Sequence, residues 1–520
     1  MTSSIARVRV AAALAVSVVL AACNGGGGGG VNVFPPTGNP GSTAPAQKLS
    51  IVGVGDSLTA GMQSSGLMGA SIPGPLGTIP GVGVIAPPPV GVPATQENGF
   101  FALLWEQANG VGLATMSNPA TSPLPLMTPP GVGGMLAPTS THIFPAPITS
   151  TCSGSQLAAN QFSTALSLRM NPNLNPYDVG IPGQTVHEAL FMVGPIGDCT
   201  VSPATDPAAF VQLNALVNGE SQQFWPILAG FGQGVSQVGA AVSLHAQVAT
   251  VWLGSNDLLK VAFSGGAAPV TSPQSMHDDM VAIIKQLQGA GSKVAVANLI
   301  DVMTAATFIP QPAYQPTLQA YIAGVLIAQG VPPAQAQAAA ILYSTAYAAQ
   351  ETAQTGLGPN GYFTINALFK TLQTAAAQIP AHALPVAPTL TSGDFIADAV
   401  ANNVKALNAS YNVAIGQAAT ETGAALVDIH KLNAQIVAAG GVPVNPPKCC
   451  SPVYRGGLYS LDGLHPSNTS YALIANAFID TLNAAYNLGI PDVNVGAVYA
   501  NDPYAPGNGV SGFSVQRLAR

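Results

Sequence analysis

Residues 49–61 read LSIVGVGDSLTAG, a short apolar run followed directly by a polar, glycine-containing stretch. The β-branched segment 49–55 predicts a buried strand, since such runs are typical of parallel sheets. Asp56 and Ser57 follow, where the strand is predicted to pass into a helix. That placement would hold the Ser57 hydroxyl at the carboxyl end of a sheet, and the positive end of the helix would favour an alkoxide-like nucleophile. The simpler alternative is that Asp56 or Ser57 only caps the helix.

Further strands and helices are predicted at wide intervals after this run. Short apolar segments predict strands at 177–181, 249–254, 293–299 and 424–429. Longer segments predict helices at 99–108, 276–289, 396–421 and 467–486. Strands that alternate with helices predict an α/β fold, in which a parallel sheet has helices on both faces.

Three long intervals do not fit simple connections between these elements. Residues 62–98 and 113–175 are rich in Gly and Pro, and residues 304–392 are rich in Ala and Gln, which predicts helices. We interpret all three as insertions in one domain, residues 48–520. Loops of such length are usually functional or disordered.

Three more motifs lie farther along the chain. Residues 180–185 read GIPGQT after one predicted strand, and residues 254–257 read GSND at the end of the next. Residues 462–466 read DGLHP on a predicted turn. Asp462 and His465 are three positions apart, so a turn would let an acid and a base converge.

In their order along the chain, these motifs together with GDSLTAG resemble the SGNH/GDSL hydrolases over about residues 48–487. The resemblance implies a flavodoxin-like three-layer α/β/α sandwich with a mostly parallel five-stranded sheet. It also implies an esterase or lipase that cleaves carboxylic esters through an acyl-enzyme, with no metal and no other cofactor. Ser57 would be the nucleophile, His465 the general base and acid, and Asp462 the residue that orients His465.

The same resemblance implies an oxyanion site made by the backbone N–H groups of Ser57 and Gly183 and by the side chain of Asn256. The family often has an Asn early in the second motif, where this chain has Asp178. Gly183 could equally be a turn residue, and GSND also suits a tight turn in which Asp257 fixes the loop.

Two other functions remain open on the same fold. One is a glycan O-acetyl esterase or an acyltransferase, and the other is a non-catalytic surface-binding lipoprotein. The apolar insertions favour lipid-like esters but also suit a surface that contacts another protein. The sequence indicates neither the substrate nor the oligomeric state.

Composition excludes several classes of protein. Charged residues make up 7% of the 520 residues, against about 25% in typical globular chains. The formal net charge of −7 argues against a nucleic-acid partner. No phosphate-binding loop and no His-Glu-x-x-His zinc helix occurs in the sequence.

The N-terminus predicts export. Arg7 and Arg9 precede an apolar run that is too short to span a membrane, and residues 20–23 read LAAC. This segment resembles the lipobox of bacterial lipoproteins, which implies a signal peptide 1–23 and a lipid on Cys23 that anchors the protein to a membrane. An ordinary signal peptide is the alternative. Asn24 in place of Asp favours the outer membrane of the cell envelope.

Residues 24–47 contain six consecutive glycines and several prolines, which predicts a flexible linker. Beyond Cys23 the chain has an even number of cysteines, so disulfides are plausible in an exported protein. Four cysteines allow three connectivities, and the sequence does not choose among them. The possible disulfide cysteines are Cys152, Cys199, Cys449 and Cys450.

Overall fold

A computed structural model of the chain describes its folded part, and the described residues lie within one compact unit, residues 40–520. The predicted signal peptide 1–23, with Cys23, and the predicted linker 24–47 lie outside the described residues. The described residues are 49–64, 66–71, 78–79, 83–84, 94–128, 132–133, 169–172, 174–191, 227–231, 235–442, 450–506 and 508.

A parallel sheet of four strands forms the centre of a mixed α/β fold, in the order β1-β6-β7-β11. All residues of β1 and β6 are buried, which explains why both are apolar without alternation. The described strands are β1 (Ile51–Gly55), β2 (Gly66–Leu67), β3 (Thr78–Ile79), β4 (Gly83–Val84), β5 (Val132–Gly133), β6 (Val248–Trp252), β7 (Lys293–Ala297), β8 (Phe308–Pro310), β9 (Tyr362–Thr364), β10 (Phe395–Ile396) and β11 (Ala425–Val427).

The predicted strand 177–181 lies beside β1 but forms only an isolated parallel bridge, between Gly53 and Asp178. Three backbone hydrogen bonds of 2.9–3.0 Å join the two segments. The carbonyl of Val179 accepts a hydrogen bond from Gln237 Nε2 at 2.7 Å, and the same nitrogen donates to Gly55 O at 2.6 Å. The side chain of Gln237 thus takes the place of some of the backbone hydrogen bonds that would otherwise join segment 177–181 to β1.

Helices pack against this sheet in two groups. The described α-helices are α1 (Phe100–Asn109), α2 (Leu113–Met116), α3 (Val186–Phe191), α4 (Gln237–Ser243), α5 (Ser255–Phe263), α6 (Pro273–Gly289), α7 (Gln311–Ala328), α8 (Pro333–Thr355), α9 (Ile365–Gln378), α10 (Asp398–Thr422), α11 (Ile429–Ala439), α12 (Asn468–Tyr486) and α13 (Val495–Asn501). Short 3₁₀ turns span Gln96–Asn98, Ala229–Phe231 and Val302–Thr304. Helix α1 packs on α12, where the rings of Phe100 and Phe478 stack with centroids 4.8 Å apart. Helices α4, α6 and α10 form the other group.

The interval 304–392 is helical, as its composition predicts, and contains α7, α8 and α9. These helices accompany a small antiparallel sheet in the order β10-β9-β8. Within the described ranges, no helix is long and apolar enough to cross a membrane. About half of the predicted insertion 62–98 and most of the predicted insertion 113–175 lie outside the described residues.

Candidate active site

The predicted nucleophile, Ser57, follows the last residue of β1 and is partly exposed. Asp56 before it is buried, and its carboxylate accepts the Leu58 N–H at 3.0 Å. The helix predicted after Ser57 is wrong, because residues 57–61 form a single hydrogen-bonded turn. Gly61 has φ +73°, a conformation that ends a helical turn, so no helix dipole acts on Ser57 here.

The turn that contains Ser57 lies so close to Gly55 that only glycine fits at position 55. A Cβ atom on Gly55 would lie 1.9 Å from Thr59 Oγ1 and 2.8 Å from the carbonyl oxygen of Trp252. Any larger residue would therefore push the turn off the end of the sheet.

Asp462 and His465 form a buried pair on the loop before α12. His465 Nδ1 lies 2.5 Å from Asp462 Oδ2, and both residues are about 6% exposed. The other carboxylate oxygen, Oδ1, accepts the backbone N–H groups of Leu464 and His465, each at 2.9 Å. Burial alone would raise the pKa of Asp462, but the charge of His465 and these hydrogen bonds outweigh burial and lower the pKa to about 2.

The Asp462 loop contacts the chain just after Ser57, about 400 residues away in sequence. Gln63 Nε2 donates to the carbonyl oxygen of Pro466 at 3.2 Å, and in α12, which follows the loop, the Tyr471 hydroxyl donates to the carbonyl oxygen of Met62 at 2.8 Å. Within the described part of the chain, neither the Ser57 hydroxyl nor the second ring nitrogen of His465 makes a hydrogen bond. Catalytic hydrogen bonds are often long in ligand-free structures.

Electrostatics also connect the two sides of the site. Burial raises the pKa of Asp56 to about 7, while the nearby charge of His465 opposes that rise. The charge of His465 thus acts on the carboxyl of the residue that precedes Ser57. The sequence predicts Asp56 only as a possible helix cap, and no local pattern indicates the perturbed pKa of its carboxyl.

The predicted oxyanion donors lie on both sides of the Ser57 turn. Ile181 N–H donates to Gly55 O at 2.9 Å, which holds the loop containing Gly183 beside the end of β1. Gly183 has φ +82°, a conformation that favours glycine. Among the described residues, the backbone N–H groups of Ser57 and Gly183 donate to no acceptor.

Asn256, in the first turn of α5, connects these two segments. Its Nδ2 donates to Asp56 Oδ2 at 3.2 Å and to Gln184 O at 3.0 Å, so both amide hydrogens are engaged. The neighbouring Asp257 fixes the loop, as predicted, since it accepts the Thr271 hydroxyl at 2.6 Å and the Val186 N–H at 3.2 Å. Burial raises the pKa of Asp257 to about 6.

An apolar cavity of about 60 Å³ lies beside the site, between the sheet, α11 and α12. Its lining includes Leu58, next to Ser57, and Leu464 and Pro466, which flank His465. Trp252 at the end of β6 also contributes to the wall. Apolar clefts with a few polar groups at one side are typical of small-molecule sites.

The cysteine predictions fall mainly on undescribed parts of the chain. Cys450 is disulfide-bonded. The remaining predicted cysteines, Cys23, Cys152, Cys199 and Cys449, lie outside the described residues. Within the described ranges, no group of three or more His, Cys, Asp and Glu side chains could hold a metal ion.

Two comparisons with known proteins bear on this site. The family model described as GDSL-like Lipase/Acylhydrolase matches residues 51–478, from the first residue of β1 into α12. The match therefore includes all of the predicted site residues between Ser57 and His465. No curated protein matches the chain.

Proposed function

Since the chain belongs to the GDSL-like lipase/acylhydrolase family, we propose that it hydrolyses carboxylic esters through an acyl-enzyme formed on Ser57. One observation supports this most directly. The buried Asp462–His465 pair lies on a loop that is hydrogen-bonded to the residues just after Ser57. A base oriented by a carboxylate next to a serine on a tight turn is the arrangement that activates a hydroxyl nucleophile.

In the first half of the reaction, the Ser57 oxygen attacks the ester carbonyl carbon while the free ring nitrogen of His465 takes the hydroxyl proton. The tetrahedral intermediate then expels the alcohol, which receives that proton from His465. In the second half, water attacks the acyl-enzyme with His465 again as base, and Ser57 regains its proton as the acid leaves. Asp462, with its pKa near 2, remains anionic and stabilises the imidazolium.

The oxyanion of each intermediate would bind to the backbone N–H groups of Ser57 and Gly183. Their lack of an acceptor among the described residues supports this role, because preorganised donors need no rearrangement when charge develops. Asn256 would have to exchange one of its present acceptors, Asp56 or Gln184, to contribute a third donor.

The test is covalent labelling with a fluorophosphonate probe together with hydrolysis of p-nitrophenyl esters. We expect one label per chain, on Ser57, and no label or turnover in Ser57→Ala. Ser410→Ala is a matched control, because its hydroxyl bonds only to Ala406 O on the surface of α10. Label on another serine, or unchanged turnover in Ser57→Ala, would contradict the proposal.

The apolar cavity beside Leu58 and Leu464 supports an acyl or lipid-like ester as substrate. We expect turnover to be higher for butyrate esters than for acetate esters, because a cavity of about 60 Å³ accommodates only a short acyl chain. A preference for acetate on a glycan would instead support the O-acetyl esterase, and transfer to an added alcohol would support the acyltransferase. An inert protein that binds ligand would support the non-catalytic alternative.

We further propose that segment 177–181 is the fifth strand of a flavodoxin-like three-layer sandwich, next to β1. Its three hydrogen bonds to β1 support this layout. The LAAC sequence supports lipidation of Cys23 and attachment to the cell envelope through the linker 24–47. Metabolic labelling with palmitate tests the anchor, and Cys23→Ala should abolish the label and release the protein from membranes.

A further inference from the structure

We propose that Ser460 is a positioning residue that fixes Asp462 relative to the nucleophile turn, with Ser64 as its anchor. We refer to Ser64 and Ser460 as the serine clasp. The inference rests on the proposed function, because it assigns a role in setting the Ser57–His465 geometry. The clasp lies outside the motifs that indicate the catalytic residues.

The clasp joins the two sides of the site by reciprocal hydrogen bonds. The backbone N–H of Ser64 donates to Ser460 Oγ at 2.8 Å, and the backbone N–H of Leu461 donates to Ser64 Oγ at 3.0 Å. Ser64 is fully buried and Ser460 is 1% exposed, so water does not compete for these bonds. Two bonds in opposite directions fix both the distance and the relative orientation of the two segments.

Ser460 passes this restraint directly to the acid–base pair. Its hydroxyl lies 3.2 Å from Asp462 Oδ1 and 3.1 Å from His465 O, and its own N–H donates to His465 O at 2.8 Å. Because its oxygen accepts the Ser64 N–H, the single hydroxyl hydrogen is directed towards these two acceptors. Asp462 is therefore held to the segment that begins seven residues after Ser57.

The backbone at Ser64 is consistent with a conformation maintained for this contact. Ser64 has φ +50°, in the left-handed region that residues other than glycine rarely adopt. Such strain persists only where surrounding contacts over-determine it. Besides the clasp, the Ser64 hydroxyl lies 3.3 Å from the hydroxyl of Tyr504, which closes the network on its far side.

The loop offers a matched control. Ser467 is also a buried serine beside this loop, and its hydroxyl accepts the backbone N–H of Ser470 at 3.3 Å at the start of α12, but it does not contact Asp462. A general loss of loop packing would make Ser467→Ala and Ser460→Ala similar. A positioning role would make them differ, both in turnover and in the hydrogen bond between Asp462 and His465.

The experiment compares Ser460→Ala with Ser467→Ala in the full chain. We expect Ser460→Ala to lower kcat about 10–100-fold with KM unchanged, since a misplacement of about 1 Å costs rates of that order. The downfield proton resonance of the His465 Nδ1–H group should shift or broaden in Ser460→Ala and remain in Ser467→Ala. Equal effects of the two variants, or an unchanged kcat and resonance in Ser460→Ala, would overturn the proposal.

Ser64→Gly gives a second measurement that does not depend on the folding of Ser460→Ala. Glycine tolerates the positive φ and keeps the backbone N–H that Ser460 accepts, so the bonds of the Ser64 hydroxyl to Leu461 and Tyr504 are lost while the bond to Ser460 remains. We expect kcat to fall about 10-fold relative to the wild type with KM unchanged, and an unchanged kcat would contradict the proposal. If the wild type cleaves no ester, the proposed function fails, while the proton resonance still tests whether Ser460 positions the pair.

Discussion

The two sides of the site are held by different kinds of structure. Ser57 follows β1, whose residues are all buried and pair with β6 on one side and with segment 177–181 on the other. Asp462 and His465 lie on a loop that no strand precedes directly. A backbone ladder therefore positions the proposed nucleophile, whereas contacts from distant parts of the chain position the proposed acid and base.

The helical insertion supplies several of those contacts. The backbone N–H of Thr307 donates to Gly463 O at 2.7 Å, within the acid–base motif itself. The Tyr454 hydroxyl donates to Leu461 O at 2.8 Å, and Tyr321 of α7 donates in turn to Tyr454 O at 3.2 Å. The insertion 304–392 therefore supports the loop that carries Asp462 and His465. Substitutions in the insertion should affect activity more than they affect the stability of the sheet.

The largest expected effects are losses of kcat in two variants that should differ from each other in stability. Ser57→Ala and His465→Ala should each lower kcat on the order of 10⁴–10⁶-fold, because the two groups act as a unit. His465→Ala should also lower the unfolding free energy by about 1–3 kcal/mol, since it removes the hydrogen bond to the buried carboxylate oxygen Oδ2 of Asp462. Ser57→Ala should unfold close to wild type. Steady-state kinetics and urea unfolding test this, and equal stability of the two variants would contradict it.

Asn256→Ala tests the connection between the Ser57 turn and the Gly183 loop. We expect kcat to fall on the order of 10²–10³-fold, as for loss of one oxyanion donor. Asn501→Ala is the control, because its amide bonds only to Ala497 O on the surface. The measurement is kcat for a p-nitrophenyl ester, and a change confined to KM would argue against stabilisation of the oxyanion.

Two glycine substitutions test separately strand β1, which precedes Ser57, and the loop that carries Asp462 and His465. Gly55→Ala forces a Cβ against Thr59 and the Trp252 carbonyl, so it should destabilise the sheet by about 1–3 kcal/mol and, because it displaces the Ser57 turn, lower kcat as well. Gly463→Ala places a Cβ 2.8 Å from Thr307 N at φ +67°, so it should displace the acid–base loop and lower kcat about 10²-fold. Urea unfolding and kinetics on both variants are the measurements. The reverse pattern would show that the loop, not the sheet, limits stability.

The smallest expected effect is a pair of opposite pH dependences. The pKa of Asp462 is lowered to about 2, so its stabilising contribution is present above its ordinary 3.8 and is lost as pH falls through 2. The pKa of Asp56 is raised to about 7, so its contribution is present below 3.8 and is lost as pH rises through 7. In a plot of unfolding free energy against pH, Asp462→Asn should lack the decrease at acid pH. Asp56→Asn should lack the decrease as pH rises towards 7. If the unfolding free energy changed with pH in the same direction in the acid and the neutral range, the predicted difference between Asp462 and Asp56 would be wrong.

Part of this architecture follows from local sequence alone. The apolar run before Gly55 predicts β1, and similar runs predict β6, β7 and β11 within a few residues, because a buried parallel strand needs continuous apolar residues. The helix predicted after Ser57 failed, since Gly61 ends the segment after one turn. Segment 177–181 was predicted as a strand, but the side chain of Gln237 takes one of its carbonyls.

The sequence by itself determined which residues are proposed to do chemistry, because each motif combines a reactive side chain with a local turn or strand end. Only the tertiary structure decided how those motifs are held together. Ser64 and Ser460 are 396 positions apart, and Thr307 belongs to an insertion without a motif. Hydrogen bonds between such distant segments leave no periodic or local signal, because either partner alone is an ordinary polar residue until folding buries both together.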